Sequence, residues 1–345
     1  MFLGDLLMNI GHCNLDDKVY IIAEIGGNHN GNPRVALELV QAAANSNVNA
    51  VKFQTYHAET LVLPDLEPLP LVRKSYRTQA QRFKSLELDS NVYDELRHAC
   101  RDLKIDFLTT PFDLQILDQF APYMPAIKVA SGDLTHHPLI ERAVTYDKPV
   151  ILSTGMATLG EIDAAACLVP KHNLALLHCV SIYPLPDEKV NLRGITAMQQ
   201  RWPEITIGYS DHTVGPEACL AAVALGARIV EKHFTLDTKQ TPGDHILSLD
   251  PQGLTDMVNQ IRRVERMLGT FEKKPAIGEE SMRVWMRRSI YAKRTLKAGE
   301  TITEDDLLFL RPFKTSTPAD SLLLVGRRLR RDVPEFQEML PEFVE

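Results

Sequence analysis

Ala126-Ile127-Lys128-Val129-Ala130-Ser131-Gly132-Asp133 joins a short apolar run to a polar cluster, and the pattern recurs seven more times along the chain. Upstream, Val19-Tyr20-Ile21-Ile22-Ala23 ends at Glu24, Ala50-Val51 at Lys52-Phe53-Gln54, and Ile105-Asp106-Phe107-Leu108 at Thr109-Thr110-Pro111-Phe112. Downstream, Pro149-Val150-Ile151-Leu152 ends at Ser153-Thr154-Gly155 and Leu174-Ala175-Leu176-Leu177 at His178-Cys179. Thr206-Ile207 then ends at Gly208-Tyr209-Ser210-Asp211-His212, and Ala227-Arg228-Ile229-Val230 at Glu231-Lys232-His233. Buried parallel strands read as continuous apolar runs. Eight of them, separated by helical patterns, predict a closed (β/α)8 barrel. Catalytic groups in that fold sit at the C-terminal ends of the strands, which here carry cations, carboxylates, hydroxyls and histidines.

The intervening segments agree with that reading. Asn32 is an N-cap and Pro33 a first helical residue for a helix running to Ala44. Residues 91–103, 161–168, 216–225 and 251–268 follow helical patterns, the last being the longest and most amphipathic. Glu59 to Ser90 carries Pro64, Pro68, Pro70 and many charges. A segment of that length is expected to form a lid or rim over the barrel mouth.

A barrel takes roughly 250 residues, and the chain has 345. A second unit is therefore expected. We read residues 1–270 as the barrel, 271–286 as a linker and 287–345 as a small domain. In the last, Ser289-Ile290-Tyr291-Ala292 and Leu308-Phe309-Leu310-Arg311-Pro312 read as strands, with a short capped helix at Thr303 to Leu307. A unit so small needs a neighbour to complete its burial, and another subunit is one solution.

The net charge is −7 and no long basic run occurs, which argues against nucleic acid as a partner. Cys13, Cys100, Cys167, Cys179 and Cys219 are scattered, with no zinc-finger spacing, and fit reduced thiols in a cytoplasmic enzyme. The apolar start, Met1 to Ile10, lacks a basic region and a cleavage site and reads as ordinary chain rather than a signal peptide. No apolar stretch is long enough to span a bilayer.

His212 and His233 end adjacent strands, so both imidazoles can point at one spot. Two nitrogen ligands with oxygen partners suit a labile divalent ion such as Mn²⁺; a hydrogen-bonded polar pair is the alternative. Lys52 and Lys128 at a barrel mouth need an anion. With Thr110, Ser131, Ser153, Ser181 and Ser210 they form a cradle for phosphate and carboxylate, against the alternative of a solvated rim. Glu24 and Asp133 can move a proton or bind substrate hydroxyls, or else pair with Lys52 and Lys128. The glycines of Glu24-Ile25-Gly26-Gly27-Asn28-His29-Asn30-Gly31 do not follow G-x-G-x-x-G and exclude a dinucleotide fingerprint.

These phrases resemble the sialic acid synthases, including the legionaminic and pseudaminic acid synthases. The resemblance is carried by Ala23-Glu24-Ile25-Gly26 with Asn28-His29-Asn30-Gly31, Lys52-Phe53-Gln54-Thr55, Thr110-Pro111-Phe112, Lys128 to Asp133 and Ser153-Thr154-Gly155-Met156. Tyr209 to Thr213 and Glu231 to Asp237 extend it through the barrel. Arg287 to Ala292 and Lys297-Ala298-Gly299-Glu300 resemble the opening of the antifreeze-like SAF domain.

The resemblance implies condensation of phosphoenolpyruvate with an N-acetylated amino sugar, by a homodimer in which one chain's small domain caps the other's barrel. It implies His212 and His233 as ligands of Mn²⁺, or of Mg²⁺ or Co²⁺, and Glu24 as the group managing a water's proton. Lys52, Thr110, Lys128, Ser131, Ser153, Ser181 and Ser210 would hold phosphoenolpyruvate. Gln54, Phe112, Asp133, Tyr183 and Asp244 would contact the sugar, and Arg311 would reach the partner's site to read the N-acetyl group.

Ser181 stands where an Asn is usual, Asp133 where Glu is frequent, and Thr241-Pro242-Gly243-Asp244-His245 replaces a Gly-Pro-Asp-His order. Phe313 to Thr317 lacks the family's glycine-rich loop. The sugar, N-acetylmannosamine or a diacetamido relative, is left open. The rival readings are another phosphoenolpyruvate-dependent 2-keto-3-deoxy sugar acid synthase, a Schiff-base aldolase using Lys128 or Lys52, and a non-enzymatic binder.

Overall fold

The computed structural model describes residues 8–68 and 72–345. Most of the apolar start read at Met1 to Ile10, and Pro70 of the expected lid, lie outside the described residues. The chain divides into two compact units, Met1–Gly269 and Thr270–Glu345.

All eight apolar runs form strands of the first unit: β1 (Tyr20–Gly26), β2 (Ala50–Thr55), β3 (Asp106–Pro111), β4 (Ile127–Val129), β5 (Val150–Ser153), β6 (Leu174–Cys179), β7 (Thr206–Asp211) and β8 (Ile229–His233). Their ladder order is β3-β2-β1-β8-β7-β6-β5-β4. Parallel pairing of β8 with β1 sets His233 opposite Glu24. The barrel is nearly closed. Between β3 and the three-residue β4 no ladder forms, and the Thr109 amide donates instead to Met124 Sδ at 3.1 Å.

Between β1 and β2 the register shifts at Glu24/Gly26, so Glu24 faces Lys52 while Gly26 faces Phe53. Gly26 carries φ +53°, and a Cβ there would meet Glu24 Oε1 at 3.0 Å. The bulge therefore needs glycine, and it aims Glu24 at Lys52.

Helices cover the barrel as their patterns predict. Asn32 caps Pro33–Asn45 by accepting from the Arg34 and Val35 amides, and that helix buries Ala36, Leu39, Val40 and Ala43. Pro251–Leu268 buries Leu254, Met257, Val258 and Ile261. Among the described residues in and beside the 59–90 region are the helices Ala58–Leu61 and Gln79–Leu86, the second capped by Thr78. All five cysteines are free thiols. No helix among the described residues is long and apolar enough to cross a membrane.

In the second unit, Ser289–Ala292 pairs antiparallel with Leu307–Leu310. Ile290, Leu296, Ile302, Leu324, Leu329, Val333 and Met339 form its own core. Thr303 and Asp306 make a reciprocal cap on the 3-10 turn Glu304–Asp306. Half of the segment read as a linker is a helix, Glu279–Met286. Gly278 and the acidic pair Glu279 and Glu280 begin it, and carboxylates are favoured at a helix N-terminus.

Candidate active site

The C-terminal strand ends bring four buried charges together. Lys52 Nζ lies 2.6 Å from Glu24 Oε2, donates to Thr110 Oγ1 at 3.0 Å and sits 3.7 Å from Glu231 Oε1. Lys128 Nζ donates to Ser153 Oγ at 2.7 Å and lies 3.9 Å from Glu231 Oε2. Ser210 donates to Glu231 Oε1 at 3.1 Å, and Gln54 Nε2 donates to Glu24 Oε1 at 2.8 Å.

The two carboxylates respond oppositely to similar burial. Burial raises the Glu24 pKa, Lys52 opposes the rise, and Glu231 adds to it; the result is about 7. Burial would also raise Glu231, but Lys128, Lys52 and His233 outweigh it and hold the group at about 2. Burial works against the Lys52 ammonium, yet Glu231 and Glu24 prevail and its pKa is raised. For Lys128 burial prevails and the pKa is lowered. At neutral pH Glu231 is thus an anion between Lys52 and Lys128, while Glu24 is poised to take or give a proton.

Around Lys128 the hydroxyls form a recess. Ser131, in the 3-10 turn Ser131–Asp133, accepts from the Gly155 amide at 3.0 Å. A Cβ at Gly155 would fall 2.3 Å from Ser181 Oγ and 2.8 Å from Ser131 Oγ. Gly155→Ala is therefore expected to push both hydroxyls out of the recess. Steady-state kinetics should show at least about a tenfold rise in KM for the anionic substrate, the equivalent of one lost hydrogen bond at about 1.4 kcal/mol. Thermal melting should change little.

His212 and His233 lie with ring centroids 5.4 Å apart. His212 Nδ1 is 2.8 Å from the Val180 carbonyl, which can only accept, so that nitrogen carries the proton and Nε2 keeps a lone pair. His233 Nδ1 is buried and has no hydrogen-bond partner. Burial lowers the His233 pKa, favouring the neutral ring that a cation requires. The chemistry of the pair, one free ring nitrogen beside one unpartnered one, fits a divalent ion. Among the described residues no group of three or more His, Cys, Asp or Glu clusters as a metal site.

The remaining predicted residues divide by position. Tyr183 lies tilted against His212, with ring centroids 4.1 Å apart, and meets His233 edge-on at 6.4 Å. Asp133 keeps a buried Oδ2 without a partner, and burial raises its pKa. Phe112 packs on Tyr56 at 5.7 Å. Asp244 opens the 3-10 turn Asp244–Leu247, and its charge acts on His233 and Tyr183. Arg311 belongs to the second unit, where it is exposed and donates to Met286 Sδ at 3.8 Å.

Glu231 is the residue that sequence reasoning passed over. Its signal was available, because strand residues two apart share a face. If His233 looks into the barrel, Glu231 does too. Lys232 between them points the other way, into a fully buried pair with Asp211 at 2.7 Å.

Such a site defines a (β/α)8-barrel enzyme with two buried lysines, a poised carboxyl group and two imidazoles side by side. The chain belongs to the NeuB family, whose model matches residues 39–273, and the SAF domain model matches residues 287–335. It is 37% identical to the N,N'-diacetyllegionaminic acid synthase of Legionella pneumophila over 338 residues, 94% of each chain. It is 32% identical to the N-acetylneuraminate-9-phosphate synthase of Mus musculus over 332 residues, 94% of this chain and 92% of that one. Among solved structures it resembles the N-acetylneuraminic acid synthetase of Leptospira borgpetersenii, with 33% identity and a TM-score of 0.71, covering 80% of this chain and 94% of that one.

Proposed function

We infer that the barrel condenses phosphoenolpyruvate with the open-chain aldehyde of an N-acetylated amino sugar, giving a sialic-acid-type nonulosonate and inorganic phosphate. The observation that carries this is the pair of buried lysines, each with its own hydroxyl, facing one carboxylate beside the two histidines. Phosphoenolpyruvate presents anionic groups at both ends. Lys52 with Thr110 meets one end; Lys128 with Ser131, Ser153, Ser181 and Ser210 meets the other. Burial strengthens both attractions.

The enol carbon of phosphoenolpyruvate bonds to the aldehyde carbon, and positive charge develops at the carbon bearing the phosphate. Ionised Glu231 stands between Lys52 and Lys128 and favours that charge. Water adds to the same carbon, Glu24 takes the water's proton and passes it to the new sugar alkoxide, and carbon–oxygen cleavage releases phosphate with the remaining proton as the intermediate's hydroxyl becomes the ketone. Gln54 holds the other Glu24 oxygen in place. His212 and His233 would hold a divalent cation, Mn²⁺ or alternatively Mg²⁺ or Co²⁺, which would supply Lewis-acid polarisation of the aldehyde. Gln54, Phe112, Asp133, Tyr183 and Asp244 receive the sugar.

Within this reading the protein works as a cytoplasmic homodimer, and Arg311 of one chain reads the N-acetyl group held by the other. The exposed Met282, Val284, Trp285 and Met286 on one short helix support a partner, because contiguous exposed apolar surface marks interaction sites.

The test is phosphate release from phosphoenolpyruvate over a panel of N-acyl sugars, with the product identified by mass. Release should require the sugar, stop with a chelator and return with Mn²⁺. Turnover only with phosphorylated, non-acylated sugars would favour the rival keto-acid synthase. Chelator-insensitive activity trapped by borohydride would favour a Schiff-base aldolase.

A further inference from the structure

The ladder between β7 and β8 ends where the two histidines begin. Its last pair is Lys232 with Asp211, so His212 and His233 each lie one residue beyond it. On its other side His233 pairs with Glu24 of β1. Towards β7 a side-chain contact ties it to His212. Lys232 Nζ donates to Asp211 Oδ2 at 2.7 Å and to the Thr213 carbonyl at 2.6 Å. The residue before His233 thus grips the chain on both sides of His212.

Asp211 closes the same bracket. Its Oδ1 accepts from the Thr213 amide at 2.9 Å and from the Tyr209 hydroxyl at 2.8 Å. Its Oδ2 also accepts from the Thr213 hydroxyl at 3.0 Å and from Cys219 Sγ, on the helix Glu217–Ala224, at 3.4 Å. Strand alternation puts Tyr209, Asp211 and Lys232 on the outer face of the barrel, and Ser210, Glu231 and His233 on the inner one. Lys232 and Asp211 are fully buried.

Taking two charges out of water is costly, and an apolar pair of similar volume often holds a fold together as well. An apolar pair, however, makes no directional bond to a carbonyl. The ammonium has three donors, and two of them fix residues 211 and 213 relative to 232. That in turn fixes the separation of the two imidazoles, 5.4 Å between ring centroids.

We propose that Lys232 and Asp211 are positioning residues that set the spacing of His212 and His233, and so the affinity of that pair for a divalent cation. The proposal rests on the condensation reading above, which gives those histidines the cation.

The experiment measures binding of Mn²⁺ alone to the full chain by electron paramagnetic resonance. Thermal melting accompanies it, with diethyl pyrocarbonate labelling of the metal-free protein mapped by mass. Lys232→Met combined with Asp211→Asn removes the grip on Thr213 without leaving a buried charge alone, and Asn keeps an acceptor for the Thr213 amide. Mn²⁺ affinity should fall by about 10–100-fold, the usual effect of losing a group that orients a metal ligand, and His212 should be labelled faster. Tyr209→Phe also deletes a bond to Asp211 but leaves Lys232 in place. It should lower the melting temperature and change neither Mn²⁺ affinity nor labelling. Asp211→Asn alone serves if the double variant does not fold, because the amide nitrogen cannot accept; affinity should then fall by a smaller factor. Unchanged affinity in the folded variant overturns the proposal. So does an equal loss in Tyr209→Phe, which marks general loosening of the barrel. Failure of the wild type to bind Mn²⁺ defeats the cation part of the condensation reading instead. Labelling then decides the positioning role alone: faster modification of His212 in the variant upholds it, and an unchanged rate overturns it.

Discussion

Lys52→Met should lower kcat/KM by two to three orders of magnitude and destabilise the barrel more at pH 8 than at pH 6. Lys52 is the cation nearest Glu24 and also faces Glu231. Removing one partner of a buried pair costs about 3–5 kcal/mol, because the other charge stays buried alone. At about 1.4 kcal/mol per decade, a loss of that size in transition-state binding gives the stated range.

The pH dependence follows from Glu24. Its folded pKa of about 7 already lies above the ordinary 4.5, and Lys52 is the main force holding it down. Without Lys52 it rises further. A carboxyl group with a raised folded pKa binds more protons in the fold than in the unfolded chain, so stability falls as pH rises from about 4.5 through the folded value. The melting-temperature gap between wild type and variant should widen from pH 6 to pH 8. A gap independent of pH would show that Glu24 is not coupled to Lys52.

Glu24→Gln should reduce kcat by about 10²–10⁴ while changing KM for phosphoenolpyruvate little. The amide keeps the shape and still accepts from Lys52, but it cannot take a proton from water. In the wild type kcat should rise with pH through about 7 as Glu24 ionises; in the variant that limb should disappear. Stability should move the other way. At pH 8 the wild type carries an ionised, buried Glu24 beside Glu231, and the variant does not. The variant should melt higher than the wild type at pH 8, and the difference should shrink towards pH 5. A pH–rate profile that keeps its limb in the variant would assign the proton transfer to another group.

Much of this site was legible because barrel chemistry gathers at strand ends. Lys52 and Gln54 share a face of β2, as residues two apart on a strand must, and both reach Glu24. Lys128 and Ser153, from adjacent strands, meet at 2.7 Å. Glu231 was missed because Glu231-Lys232-His233 reads as an undivided polar phrase until the alternation of the strand is applied. The helix Glu279–Met286 within the segment read as a linker went unread because Pro275 and Gly278 stand just before it.

The residue string by itself determined eight strands, their order, the second unit and most strand-end donors, because apolar runs and caps are local patterns set within a few residues. Tertiary structure alone decided that Glu24 titrates near 7 while Glu231 stays ionised, and that both carboxylates share Lys52. Those outcomes depend on distances between groups far apart in the chain and on the burial that closing the barrel imposes, and neither quantity exists before the strands assemble.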